Sequence, residues 1–263
     1  MVRRLEAAQS TRTPCPPVRE LLAHDDVEAG IDHAYSVQST LIARRIEAGA
    51  RIVGRKIGLT NPKVQAQLGV DRPDFGVLLD TMQCPHGQAV DITRLLQPKI
   101  EAEIAFVLGA DLDQPGPITE DDVADATAHI VAALEIVDSR VAGWDISILD
   151  TVADNGSSGL FVLGDQPVAL TGLDLTAVAM TLHQDGELAS SGTGADCLGN
   201  PLTAVTWLAT TARDYGTPLR AGDVILSGAL GPMLPVTPGT SFAADIGDIG
   251  TVAVSFIDPG DTA

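Results

Sequence analysis

The segment QPKIEAEIAFVLGADL, residues 97–112, constrains the fold of this chain more than any other. From Ile100 to Leu108, Ile, Ala, Ile, Phe and Leu occupy the even positions, while Glu101, Glu103, Ala105 and Val107 occupy the odd ones. Alternation with a period of two is the signature of a strand. The even face is apolar throughout and the odd face turns apolar after two acids, so both enter a core. Glu101 and Glu103 then point the same way, about 6.5 Å apart along the strand. Like charges at the mouth of an apolar face repel and lose hydration. Whatever fold contains this strand must compensate them.

Composition bounds what the compensation can be. The 263 residues can bury one large core, or a core with a small appendage. Aromatic residues are only 3%, so the core must be aliphatic. The 35 acidic against 16 basic residues give a net charge of −19, which opposes binding to phosphate backbones or anionic lipid. An anionic substrate would need a local cluster of positive charge. Cys15, Cys84 and Cys197 form no C-x-x-C pair, and their odd number argues against a disulfide framework. The five histidines show no metal-ligand spacing. The N-terminal residues have no apolar core of a signal peptide, and no apolar run reaches membrane-spanning length, which predicts a cytoplasmic protein.

Residues 1–50 read as helical, interrupted by TPCPP, with Ala34, Val37, Leu41 and Ile46 near helical spacing and Arg44–Arg45 late, where the helix dipole favours cations. Strand and turn signals follow up to AFVLGADL. TEDDVADATAHIVAALEIVDSR predicts a capped helix from near Thr119 that passes into a buried strand ending near Ser139. The last hundred residues read as short β-branched runs between Gly, Asp and Pro, the pattern of a β-rich barrel or roll. The expected class is α+β: a helical N-terminal region, residues 1–75, leading into the strand of Lys56, then a β-rich catalytic domain, residues 76–263. Neither a Walker loop nor G-x-G-x-x-G after a strand is present, so nucleotide binding has no support.

Glu135, inside the apolar run AALEIVDSR, is a third acid. A single buried Glu ordinarily pairs with Arg or Lys, and Arg140 is also available to Asp138. Three carboxylates nevertheless exceed the nearby cations, and three oxygen donors without Cys or His suit a hard divalent ion such as Mg²⁺ or Mn²⁺. GARIVGRKIGLT supplies positive charge: as a strand it sends Arg55 and Lys56 to opposite faces, with Gly54 and Gly58 beside Lys56. Those glycines leave room for a ligand or for another backbone. In DTVADNGSSGLFV, Asn155-Gly156 marks a turn, and Ser157 and Ser158 offer donors to an anion, although a plain helix end reads the same way. Asp80 closes an apolar run, where an Asp is more often a turn cap than a catalyst. The strand DVILSGALGPM ends in the small residues Ser227, Gly228 and Ala229, which suits close approach of a ligand or a bulge.

GRKIGLT, PDFGVLLDTM, PKIEAEIAFVL, ALEIVDSR, DTVADNGSSGLFVLGD and GDVILSGALGPM together resemble the 2-oxopent-4-enoate hydratases, in the hydratase/decarboxylase branch of the fumarylacetoacetase-like superfamily. The resemblance spans nearly the whole chain. It implies a mixed β-roll, homo-oligomers, association with a pathway enzyme, and Mg²⁺ or Mn²⁺ held by Glu101, Glu103 and Glu135. It also implies a role in meta-cleavage degradation of aromatic compounds: hydration of 2-hydroxypenta-2,4-dienoate to 4-hydroxy-2-oxopentanoate. Lys56 and Asp80 would be catalytic, and Asn155, Ser157, Ser158, Ser227 and Gly228 would bind substrate. Fumarylacetoacetase-type hydrolases usually carry Asp at the position of Glu135, Thr near Ala229 and an upstream His, which this chain lacks. The sister 4-oxalocrotonate decarboxylases share PKIEAEIAFV, but FGVLLDTM and SGLFVLGD are more like the hydratases.

Overall fold

The computed structural model describes residues 1–22, 27–61, 65, 70 and 72–261. Helices α1 (Val2–Thr11) and α2 (Val27–Glu47) precede β1 (Ile52–Gly58) and β2 (Asp74–Leu79). Asp25 and Asp26, which open the expected second helix, lie outside the described residues. After the short β3 (Gln83–Cys84) and β4 (Ala89–Asp91) comes the long hairpin of β5 (Pro98–Leu108) and β6 (Thr127–Asp138), with α3 (Glu120–Ala126) between them. Helix α4 (Ile148–Ala153) leads through a tight loop into β7 (Ser158–Leu163). The chain closes with β8 (Ala179–Gln184), β9 (Glu187–Thr193), α5 (Pro201–Asp214), β10 (Val224–Leu226), β11 (Leu234–Pro235), β12 (Ser241–Asp245) and β13 (Thr251–Ile257).

The strands form two mixed sheets. The larger runs β2-β1-β10-β5-β6-β7-β3, with β11 also pairing with β5, and the smaller runs β4-β13-β12-β8-β9. The β-rich α+β class read from the sequence is the class observed. The strand of Lys56 belongs to the larger sheet, and β2 crosses residues 75 and 76 while pairing with β1 along its length.

The β5–β6 hairpin is the spine of the molecule. Its even face, from Ile100 to Leu108, enters the main core, where Ile104 and Phe106 are fully buried. On the odd face Ala105, Val131 and Ala133 join Leu226 and Phe161 in a second, smaller cluster. The predicted capped helix is α3: Thr119 Oγ1 accepts from the Asp122 N–H while Asp122 Oδ2 accepts from the Thr119 N–H at 2.7 Å.

Helix α5 departs from the all-strand reading of the last hundred residues. Asn200 Oδ1 caps it by accepting from the Leu202 N–H, Pro201 starts it, and Ala204, Val205, Leu208, Ala209 and Ala212 form its buried stripe. Cap, proline and helical spacing overrule the β-branched Thr and Val residues of the segment. Among the described residues no helix is long and apolar enough to cross a membrane.

Candidate metal centre

The antiparallel register of the hairpin places Glu101 directly opposite Glu135, and Glu103 opposite Ala133. Directly opposed residues share a sheet face, so the three carboxylates converge, with one oxygen of each within 4.8 Å of the others. Glu101, Glu103 and Glu135 are 7%, 0% and 1% exposed, so bulk water is largely withdrawn from them. Glu103 Oε2 accepts from the Gly228 N–H at 2.7 Å. Among the described residues nothing donates a hydrogen bond to Glu103 Oε1 or to either oxygen of Glu135.

Lys56 arrives on the same face because β1 pairs with β10, setting Lys56 beside Leu226, and Leu226 lies opposite Ala105 of β5. Its Nζ stands 3.2 Å from Glu135 Oε1, an ion-pair contact not aligned as a hydrogen bond, with both side chains buried. One ammonium cannot neutralise three carboxylates. Orphaned buried oxygens, all hard donors, in a group short of positive charge fit a hard divalent cation.

Burial pushes Glu101 up to about 7, with the Glu135 charge adding to the shift. Burial and both neighbouring carboxylates raise Glu103 well above the ordinary range. Glu135 is also raised by burial, against the pull of Lys56. Burial alone would depress Lys56, but Glu135, Asp74, Glu101 and Glu103 together hold it above its ordinary value. A carboxylate whose pKa is raised by folding contributes stability below its unfolded value, lost as pH rises through the folded one. Chelator-treated protein should therefore melt at progressively lower temperature as pH rises from about 5 to 8. Saturating divalent metal, which needs the deprotonated ligands, should stabilise most at the high end of that window. Paired thermal melts across this pH range check both slopes.

The structure brings in a residue that the sequence reading passed over. Asp74 opens β2, opposite Gly58 on β1. It is 1% exposed, and its Oδ2 accepts from Thr151 Oγ1 at 3.1 Å. A Cβ at Gly58 would lie 2.1 Å from Asp74 Oδ1 and 3.4 Å from Lys56 Nζ, so this glycine makes room for the acid and the ammonium. A Cβ at Gly54 would meet Val224 O at 1.8 Å, so that glycine admits the backbone of β10. Asp80, by contrast, lies beyond Leu79, whose partner Ile52 is at the far end of β1 from Gly58. The two acids are six positions apart, about 20 Å of extended chain. Asp80 accepts from the Arg51 N–H and from Arg51 Nε, both at 3.0 Å, so the structure sets it apart from the Lys56–glutamate group.

The loop after α4 packs onto this group: a Cβ at Gly156 would lie 3.2 Å from Lys56 Cδ. Asn155 is committed to β2, accepting from the Val77 N–H and donating to Val77 O. Ser158 Oγ donates to Asn155 O, and Ser157 Oγ lies 3.3 Å from Thr151 Oγ1. Of the expected binding residues, Asn155 and Ser158 thus clamp the loop, while Ser157 joins the chain of hydroxyls leading to Asp74. Ser227 Oγ, fully buried next to the Gly228 N–H that holds Glu103, has no hydrogen-bond partner among the described residues. Leu59, Asn155 and Ser157 all have positive φ, between 52° and 59°, so the backbone around Lys56 is held in a region that L residues avoid. Gly228, at φ 112°, is required: a Cβ there would meet Thr60 Cγ2 at 2.4 Å.

The chain belongs to the fumarylacetoacetate (FAA) hydrolase C-terminal family, whose pattern matches residues 51–257. Within that family it is similar to the 2-keto-4-pentenoate hydratase of Paraburkholderia xenovorans (strain LB400), 51% identical over 96% of this chain and 94% of that one. The 2-hydroxyhexa-2,4-dienoate hydratase of Comamonas testosteroni is 42% identical over 96% of this chain and 94% of its own. In structure the chain resembles 4-oxalocrotonate decarboxylase from Pseudomonas putida G7, complexed with magnesium and adipate. That likeness has a TM-score of 0.89 and 33% identity, covering 97% of each chain.

Proposed function

We propose that this chain is a divalent-metal-dependent hydratase that adds water to 2-hydroxypenta-2,4-dienoate, giving 4-hydroxy-2-oxopentanoate. The observation that carries the choice of reaction is the comparison of identities. Named 2-keto-4-pentenoate hydratases are 51% identical over nearly the whole chain, against 33% for the decarboxylase structure. Magnesium in that structure supports a divalent ion held here by Glu101, Glu103 and Glu135. Mg²⁺ and Mn²⁺ both suit an all-oxygen donor set.

The cation, when bound, supplies Lewis-acid polarisation of the 2-oxo acid end of the substrate. The chain's own groups do the rest. Lys56 Nζ, buried and charged, binds the substrate carboxylate. Loss of the dienol proton and protonation at C5 give the conjugated ketone; water then attacks C4 and C3 takes up a proton. Asp74 is placed for these transfers: it lies beside Lys56 across Gly58, and burial raises its pKa, opposed by Lys56 and Thr151. Thr151 Oγ1 orients its carboxyl, and Ser157 Oγ lies next in the chain.

Metal-loaded enzyme given the dienoate in ¹⁸O water should yield product labelled at C4, located by fragmentation. Given 4-oxalocrotonate, it should release little CO₂. Rapid CO₂ release without C4 label would make it a decarboxylase instead.

Lys56→Met should lose at least one charge-assisted hydrogen bond to substrate, about 10- to 150-fold in kcat/KM. Arg55 sits on the opposite face, buried, with Nη1 donating to Gly54 O at 3.0 Å and Nε unpartnered. Arg55→Met should change stability and leave kcat/KM within a few-fold of wild type. Steady-state kinetics and melts of the two variants separate the roles; an inactive Arg55→Met beside an active Lys56→Met would refute the assignment.

A further inference from the structure

The loop that packs on Lys56 also walls a separate cleft of about 480 Å³, to which neither Lys56, Asp74 nor the three glutamates contributes. Five of the chain's 16 basic residues line it: Arg12, Arg44, Arg45, Arg94 and Arg140. Only Glu6, Asp138 and Asp154 among the lining residues are acidic. In a chain of net charge −19 this is a marked local reversal of sign.

Two of the guanidinium groups are neutralised. Arg44 pairs with Glu6 at 2.5 Å, and Arg140 grips Asp154 at 2.6 Å while donating to Ser158 O. Asp138 is occupied by the backbone N–H groups of Leu96 and Gln97. Asp91, within electrostatic reach of Arg12 and Arg94, is engaged by Thr93. Arg12, Arg45 and Arg94 therefore have no carboxylate partner among the described residues. Among the described residues Arg12 donates to Arg94 O, and Arg94 to Thr81 O and Cys84 Sγ, whereas Arg45 donates to none.

Arg45 is exposed by its own surface yet hemmed in by the cleft walls; this crowding and the charge of Arg140 disfavour its ionised form, against the opposing pull of Asp154. Three guanidinium groups that line one cleft without a carboxylate in ion-pair contact, in a lining of five arginines to three acids and with Gln9 and Ser10 as neutral donors beside them, are complementary to a compact multivalent anion. We propose that this cleft is an anion-binding site, separate from the metal centre, that takes a small dicarboxylate or a phosphate with Arg45 at its middle.

Calorimetric titration of the metal-loaded enzyme with inorganic phosphate and, separately, succinate at constant ionic strength tests this. One saturable site per chain is expected, weakened at least about tenfold in Arg45→Gln and in Arg12→Gln and unchanged in Lys56→Met. Saturation by phosphate alone or by succinate alone identifies the ligand class. Absence of saturable binding overturns the proposal, as does binding lost in Lys56→Met, which would place the anion at the catalytic group. So does binding that both arginine variants leave intact. Absent binding with an altered sedimentation coefficient in Arg45→Gln would assign the cleft to contact between copies and likewise overturn it. Should Arg45→Gln fail to fold, Arg12→Gln carries the comparison.

Discussion

Glu103→Ala should reduce activity by about a thousandfold or more, the equivalent of several kcal/mol of lost charge stabilisation in the transition state. The same change should lower metal affinity by at least about a hundredfold, since even loss of a group that only orients a ligand costs about 10- to 100-fold. Its effect on the metal-free fold should run the other way. Glu103 is fully buried beside two other carboxylates, and only Oε2 finds a donor. Removing it relieves repulsion and leaves only the Gly228 N–H without its acceptor. Chelator-treated Glu103→Ala should therefore melt no lower than chelator-treated wild type, and only wild type should gain stability on adding Mg²⁺ or Mn²⁺. Full, chelator-resistant turnover in this variant would exclude the metal centre.

The convergence of acids from which this prediction is drawn was readable in the sequence because its elements are local. Alternation in residues 100–108 fixes which side Glu101 and Glu103 face, and an acid inside AALEIVDSR stands out against apolar neighbours. The partners of that face were less legible. Glu103 depends on the Gly228 N–H just past the end of β10, more than a hundred residues away, and Lys56 reaches Glu135 only through the order β1-β10-β5-β6. Glycine spacing marked Lys56, but for a different reason at each glycine: Gly54 admits a backbone and Gly58 a carboxylate. Asn155-Gly156 announced its turn, yet nothing local told that Asn155 would spend both ends of its amide on Val77. Helix α5 was missed: its Asn200-Pro201 start and the helical spacing of its apolar residues stand in the sequence, but among short β-branched runs they read as strand.

The choice of acid shows most sharply where local reading ends. RPDFGVLLDTM offers two aspartates at opposite ends of one apolar run, and periodicity treats them alike. Pairing distinguishes them, because β2 runs antiparallel to β1 and sets Asp74 against Gly58 while Asp80 falls beyond Ile52. Environment follows position: Asp74 is buried and its pKa raised, whereas hydrogen bonds from the Arg51 backbone and side chain lower that of Asp80. A group that gives and takes protons near neutral pH needs the first environment. Asp74→Asn keeps the shape and the acceptor for Thr151 but cannot transfer the proton, so kcat should fall about 10²- to 10⁴-fold with a smaller change in KM. Asp80→Asn, which loses one surface ion pair with Arg51, should stay within a few-fold of wild type in both constants. Metal affinity should be preserved in both variants, so a fall in kcat for Asp74→Asn at saturating metal reports the proton step. If Asp80→Asn is the crippled variant and Asp74→Asn turns over normally, the proton is moved elsewhere and the pairing of β1 with β2 does not select the catalyst.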